Sequence, residues 1–292
     1  MTADNIGCDL HFHSRHSDGR FFAAQLPRKL AAHGVRIAAL ADHDTMKGFP
    51  AFFQGAQALG ITALPCLELT TYLEAYGEGA EVHVLALGVR ANDKLAKSLC
   101  DIREQRNALH RKMCARVNEL GYDFDFDRLV KLAGDDPVMT SHYLWDLFRR
   151  KPVWVLGNIA SGKFKKWYDN FISHTVAPGA KAYLPPPLAF TDGIAWVREH
   201  EGLAIIAHPA KIALEKVRAA TLTADCDGYE VYYRGQDGIR EELLRIVDER
   251  GLVATGGSDW HGYIDGPYAG WEMPRDRVRI LLDRLGLTKT EL

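Results

Sequence analysis

Seven short apolar, β-branched runs recur along the chain, and most are followed by a stretch with helical periodicity, so strand and helix alternate over much of its length. The runs cover residues 8–12, 36–41, 61–66, 82–87, 203–207, 228–232 and 252–255. Helical patterns over 21–33, 49–59, 192–200 and 239–250 fall between them, with Gly34, Gly60, Gly202 and Gly251 at their ends, where glycine takes the left-handed stop conformation. Such alternation predicts an α/β fold built on a parallel sheet or barrel.

The alternation fails between about residue 93 and residue 185. That stretch holds a long helical pattern over 95–120 and no convincing strand, and it ends at Leu184-Pro185-Pro186-Pro187, which cannot continue a helix. The expected organisation is therefore an α/β body of residues 1–92 and 186–292, interrupted by an inserted helical subdomain of residues 93–185. No internal repeat or low-complexity tract is visible.

Composition narrows the function classes. The chain has 292 residues, is 47% hydrophobic and 25% charged, and carries a net charge of −2, which fits an ordinary globular protein and argues for a small ligand over long duplex nucleic acid. The start lacks a basic segment leading into an apolar run, and no apolar stretch reaches the roughly 18 residues of a membrane span. A cytoplasmic protein without membrane attachment or an obligate protein partner is expected. The five cysteines, Cys8, Cys66, Cys100, Cys114 and Cys226, are dispersed and odd in number, which predicts reduced thiols in packing roles.

Histidines and carboxylates gather where the predicted strands end, the position where α/β barrels expose polar side chains on loops. His11 and His13 close the first run, Asp42-His43-Asp44 the second and Glu68 the third; His83 lies in the fourth, His208 closes the fifth, and Ser258-Asp259-Trp260-His261 closes the last. In an extended His-x-His segment alternate side chains share a face, so His11 and His13 can grip one cation. A single histidine is more often a hydrogen-bonded core or surface residue than a ligand. Repetition at separate strand ends points instead to a metal centre. A sulfur-free mixture of imidazole and carboxylate suits Mn²⁺, with Fe²⁺ or Zn²⁺ as alternatives.

The segments Asp9-Leu10-His11-Phe12-His13-Ser14, Ser17-Asp18-Gly19, Ala41-Asp42-His43-Asp44-Thr45, Glu68, His83, Ala207-His208-Pro209 and Gly257-Ser258-Asp259-Trp260-His261 occur in an order that resembles the PHP (polymerase and histidinol phosphatase) family. The helical insertion further resembles the branch of RNase AM and the 3′,5′-nucleoside bisphosphate phosphatases. The resemblance implies a distorted seven-stranded (βα) barrel with three metals. It places His11, His13, Glu68 and Asp259 around the first, Glu68 with His83 and His208 around the second, and Asp18, His43 and His261 around the third, with His16 competing with Asp18. Glu68, His208 and Asp259 are the expected catalytic groups. Three divalent cations against three carboxylates leave a surplus of positive charge, which suits a phosphate dianion and an acidified water better than amide hydrolysis. Asp42 and Asp44 flank His43 as supports for its imidazole, or in the case of Asp44 as the cap of the next helix.

Substrate choice is expected to reside in the insertion. Between Ser141 and Pro185, cations including Arg149, Lys163 and Lys166 interleave with Trp145, Trp154, Phe164 and Trp167, a composition suited to stacking a base and holding a second phosphate, or else to a small core with a solvated face. Arg20, His142, Lys166 and Lys211 are the basic groups expected nearest the phosphates. Thr140 stands where the resembled branch commonly has an arginine, and Arg20 where it has a smaller residue, so phosphate recognition is expected to be rebuilt. The resemblance implies removal of the 3′-phosphate from a 3′,5′-bisphosphorylated nucleoside. The alternatives are a 5′ to 3′ exonuclease on short single-stranded RNA, a phosphatase of histidinol-phosphate type, and a metal-binding regulatory module without turnover.

Overall fold

The computed structural model describes residues 4–77, 80–234, 238–263 and 266–288. Among the described residues nine strands are formed: β1 (Asn5–Phe12), β2 (Ile37–Leu40), β3 (Thr62–Leu64), β4 (Glu68–Tyr72), β5 (Glu81–Leu87), β6 (Leu203–Ile206), β7 (Gly228–Tyr232), β8 (Val253–Gly256) and β9 (Glu272–Pro274). The α-helices are α1 (Leu26–Ala31), α2 (Phe49–Gln57), α3 (Asp93–Glu119), α4 (Phe126–Ala133), α5 (Thr140–Arg150), α6 (Pro152–Ala160), α7 (Lys163–Phe171), α8 (Phe190–Glu199), α9 (Glu215–Leu222), α10 (Arg240–Arg250) and α11 (Arg275–Arg284).

The α/β class is as expected, but hydrogen bonding joins the strands into two open sheets, β3-β2-β1-β9 and β4-β5-β6-β7-β8, instead of one closed ring. The sheets approach each other through the single bridges Phe12 to Trp260 and His43 to Glu68. Nor are they wholly parallel: β4 pairs antiparallel with β5, β5 with β6, and β1 with β9. The link from β4 to β5 is too short for a parallel crossover, which needs about a dozen residues or more, so it turns back as a hairpin. Pro65 divides the third apolar run, because its ring removes a ladder donor. Glu68 therefore opens a new strand instead of closing the previous one.

One apolar layer lies between the sheets, built from residues such as Leu10, Ile37, Leu85, Ile205 and Leu281. A second covers the outer side of the larger sheet against α8 and α10, and a third lies against α1 and α2. The lobe formed by α4 to α7 has its own core, with Phe124, Leu129, Tyr143 and Phe171 fully or nearly buried. Helix α3 belongs to both parts: Leu95 and Ile102 pack in the body, whereas Met113, Cys114 and Val117 pack in the lobe. Its start is capped by Asn92, whose side-chain oxygen accepts the Leu95 N–H at 2.9 Å. Four of the cysteines are buried free thiols, but Cys100 is exposed and has no core role. No helix among the described residues is long and apolar enough to cross a membrane.

Candidate metal centre

The pleat of β1 sets the floor of the site. Asp9, His11 and His13 alternate onto one face, and all three are buried. Asp9, one step further back along that row, joins none of the ligand groups; it accepts the Ser258 N–H at 2.9 Å and the Ser258 and Tyr268 hydroxyls at 2.7 and 2.8 Å, tying the turn that carries Asp259 to β1. Gly257 permits that approach, since a Cβ there would lie 2.3 Å from His11 Cβ. Asp44, His208 and Asp259 all take positive φ, at 55°, 29° and 49°, which is unfavourable for side chains other than glycine and persists where surrounding bonds enforce it.

Glu68 is the hub. Its Oε2 lies 3.1 Å from His11 Nε2, 3.3 Å from His13 Nε2 and 3.3 Å from His43 Nδ1, while Oε1 lies 2.9 Å from His83 Nδ1 and 3.1 Å from His208 Nε2. Asp259 Oδ1 lies 3.2 Å from His13 Nε2 and 3.5 Å from His11 Nε2. On the outer side, Asp18 Oδ2 lies 3.3 Å from His261 Nε2 and 3.8 Å from His43 Nε2. All nine side chains expected as ligands are thus brought together. They form four overlapping groups: His13, Asp18, His43 and His261; His11, His13 and Asp259; His11, Glu68 and His208; and His43, Glu68 and His83. His16 is turned away, with Nδ1 2.7 Å from Asp136.

These donors fit divalent cations. Ligand atoms around an ion at about 2.0–2.2 Å stand roughly 3.0–3.4 Å apart, which matches most of the separations around Glu68. His43 Nδ1 is buried without a hydrogen-bond partner, a cost that a coordinated ion removes. The electrostatics agree. Burial lowers the basicity of His13 and His83, but carboxylates beside them, Asp259 and Glu68 for His13 and Glu68 and Glu81 for His83, raise both to about 10. Burial likewise opposes ionisation of Glu68, Asp259 and Asp18, yet the surrounding histidines hold all three carboxyls below their ordinary range. Burial dominates at His43, pushed down to about 3. A basin of carboxylates that draws protons onto its histidines is a basin for cations.

Glu230 was missed by sequence reasoning. It is fully buried in β7, the one predicted strand without an assigned ligand; Oε1 lies 3.1 Å from His11 Nδ1, and Oε2 accepts the His208 N–H at 2.8 Å. A lone carboxylate inside the apolar run Gly228-Tyr-Glu-Val-Tyr232 was the available signal. Asp42 and Asp44 have roles other than those expected. Asp42 accepts the Ser14 N–H and the Ser14 and Ser17 hydroxyls at 2.7, 2.6 and 2.8 Å, anchoring the loop before Asp18. Asp44 does not cap α2, which starts after Gly48; it accepts the Thr70 N–H at 3.0 Å and pairs with Arg106 at 3.1 Å.

A cavity of about 250 Å³ opens beside the cluster, with Asp18, His43 and His83 on its floor and Arg106, His110 and Met139 in its roof. Of the basic groups expected near phosphates, Lys211 reaches the cluster, its Nζ 2.5 Å from Asp259 Oδ2. His142 is buried, and its Nδ1 accepts the Met139 N–H at 2.8 Å. Arg20 is exposed with its guanidinium 5.6 Å from the Phe21 ring, and Lys166 is exposed on α7. The lobe's tryptophans and phenylalanines do not line the cavity; Trp167 packs against Trp154 and Phe171 instead.

The PHP domain pattern matches residues 9–136. A 3′,5′-nucleoside bisphosphate phosphatase of Chromobacterium violaceum is 30% identical over 87% of this chain and 86% of its own length. A phosphoribosyl 1,2-cyclic phosphate 1,2-diphosphodiesterase of Eggerthella lenta is 26% identical over 91% of this chain and 98% of its own. Among solved structures, a protein of Bifidobacterium adolescentis described as a metal-dependent phosphoesterase superposes with a TM-score of 0.74 at 27% identity, covering 96% of each chain. With the ligand-type side chains gathered as that kinship requires, the chain belongs to the PHP domain family of metal-dependent phosphoesterases.

Proposed function

We propose that His11, His13, Asp18, His43, Glu68, His83, His208, Asp259 and His261 hold three divalent cations, Mn²⁺ first among them, and that the protein removes the 3′-phosphate from a 3′,5′-bisphosphorylated nucleoside such as adenosine 3′,5′-bisphosphate. The products are the nucleoside 5′-monophosphate and phosphate. The observation that carries this reading is the cavity of about 250 Å³ beside the nine converging side chains. Pockets for drug-sized ligands span roughly 300–1,000 Å³, and a cavity of this order takes a single nucleoside beside the cations.

Bound divalent cations supply positive charge for a phosphoryl group and acidify water into a nucleophile. The chain's own groups do the rest. Glu68 divides its two oxygens between the inner and outer histidines and so keeps them in one register. Glu230 Oε1 accepts a hydrogen bond from His11 Nδ1–H, which keeps the proton on Nδ1 and leaves Nε2 as the lone-pair donor facing the site. Asp259 Oδ1, close to His13, would face the cation, and Lys211 on Oδ2 keeps that carboxylate ionised for the role.

A phosphate-release screen with Mn²⁺ over mono- and bisphosphorylated nucleosides tests the reading. The highest kcat/KM is expected for a 3′,5′-bisphosphate; turnover no greater than that of metal-stripped protein across the panel refutes it.

A further inference from the structure

Helix α6 does not follow the pattern of a surface helix, which buries one apolar stripe and turns polar side chains to water. Its nine residues, Pro-Val-Trp-Val-Leu-Gly-Asn-Ile-Ala, include no charge, and Val155 alone is buried. At 3.6 residues per turn the face opposite Val155 is made of Val153, Leu156, Gly157 and Ala160, all exposed, with Val153 at 84% and Leu156 at 64%. Trp154 and Ile159 flank that face and are exposed as well. None of these side chains lines the cavity over the metal floor or the second cavity beside the start of α3. An exposed apolar patch with a polar rim marks a surface that meets a partner.

The rim here is basic. From Leu147 to Tyr168 the chain holds Arg149, Arg150, Lys151, Lys163, Lys165 and Lys166 and no acidic residue, although its net charge is −2. Arg150 is engaged by Asp146 and Asp123 at 2.7 and 3.0 Å, and Lys165 by Asp169 at 2.7 Å. Arg149, Lys151, Lys163 and Lys166 are exposed and enter no ion pair among the described residues. They border the apolar face: Lys151 directly precedes α6, and α7, which carries Lys163 and Lys166, packs on α6 through Trp167 and Trp154, whose rings stand 5.6 Å apart.

We propose that α6 and α7 seat the protein peripherally on an anionic phospholipid surface, with the apolar face of α6 in the headgroup layer. Such a contact needs no spanning helix: aliphatic side chains enter the acyl boundary, a tryptophan sits at headgroup level, and lysines and arginines meet the lipid phosphates. The charge pattern disfavours a second copy of this chain, because a twofold axis through α6 would set the cations of one copy against those of the other. Single-stranded RNA would satisfy the cations, but bases stack on aromatic faces and would leave Val153, Leu156 and Ile159 in water.

Cosedimentation of the full Mn²⁺-loaded chain with vesicles tests this, using phosphatidylcholine alone and phosphatidylcholine mixed in equal parts with phosphatidylglycerol. The mixed vesicles are expected to take up the protein at least about tenfold better at low salt, with the advantage shrinking as salt rises. Val153→Glu with Leu156→Glu charges the apolar face, and Lys151→Glu with Lys163→Glu reverses part of the rim. Each pair should lower partition into the mixed vesicles by about tenfold or more, and since all four positions are exposed the melting transition should stay as in the wild type. No uptake by either vesicle, equal uptake by both, or uptake that survives the Val153 and Leu156 pair overturns the proposal. A dimer that this pair dissolves, without vesicle uptake, gives the face to a second copy instead. Binding of poly-uridylate that is lost with the lysines and untouched by the aliphatics, again without vesicle uptake, gives it to RNA; either result overturns the membrane assignment.

Discussion

The floor of the cavity is made from strand ends, where a two-residue period and short loops aim His11, His13, Glu68, His83, His208 and Asp259 at common points. Its roof is made from α3, α5 and the π-helical turn Ile172–Val176, where the residues that meet the cavity are selected by the packing of one helix on another. The floor is dense in charge and rigidly cross-tied through Asp9, Asp42 and Glu230. The roof is largely aliphatic, with Arg106 as its one buried cation. Chemistry placed on the rigid part and selection on the variable part would let one floor serve relatives acting on a bisphosphate and on a cyclic phosphate.

If that division is real, the largest loss must come from the floor's hub. Glu68→Gln removes the charge that all the inner histidines share, and phosphate release should fall by about 10³-fold or more while the melting transition stays cooperative. Phosphate assay with elemental analysis of bound metal checks this, and full activity in the variant would break the comparison at its base. Glu230→Gln acts one bond further out. Replacing one of the two acceptor oxygens by an NH₂ donor leaves either His11 Nδ1 or the His208 N–H unmatched and should reduce metal affinity or turnover by about 10- to 100-fold, with the defect in turnover relieved by excess Mn²⁺. A loss below twofold would mean that β7 contributes packing alone.

How much was legible in the sequence follows the same line. His11 and His13 could be read because a strand's period is two and their spacing is two, and Asp259 and His208 could be read because strand ends are where polar residues become affordable. Glu230 escaped because a single carboxylate inside an apolar strand resembles an error of pattern until its partners are known. Arg106 escaped because on a long helix rich in charge it reads as one more solvated cation, and only the fold pairs it with Asp44. Two sheets instead of one ring could not be foreseen either, since pairing direction depends on connections such as β4 to β5, and β9 spans only Glu272–Pro274, too short to be seen as a strand. The aromatics of the insertion suit either a stacking surface or a small core, and the structure uses Tyr143 and Phe171 for the core of the lobe.

The pH dependence of stability sharpens the contrast, because the floor titrates as a unit. His13 and His83 have folded values raised to about 10, so each adds stability that is complete below pH 6.5 and is lost as pH rises through about 10. Asp18, Glu68 and Asp259 are shifted the other way; their contribution is complete above about pH 4 and is lost in acid. His43, His110, His142 and His208 are shifted down and remove stability below about pH 6.5, so the metal-free protein should be most stable near pH 6.5, and its Tm should drop by several degrees on going to pH 9. Saturating Mn²⁺ should abolish the alkaline decline, since the metal replaces the protons, and should lose affinity in acid as the protons return. Calorimetry of both forms across that range tests it; a metal-free Tm that rises steadily from pH 6 to pH 9 contradicts the charge balance described for the floor.

The smallest effect is expected where the roof meets solvent. Lys166 sits exposed on α7, a helix whose Lys165 is already paired with Asp169 at 2.7 Å, and it does not line the cavity. An exposed ammonium on a long stem is screened by salt and costs little to remove. Lys166→Ala should change kcat/KM for a bisphosphate by less than about twofold at physiological ionic strength, against the fall of about 10³-fold expected for Glu68→Gln. Measuring both variants on the same substrate sets the outer lobe against the floor. If Lys166→Ala instead costs tenfold, the basic face of α7 swings over the site during turnover, and the lobe's exposed cations take part in binding.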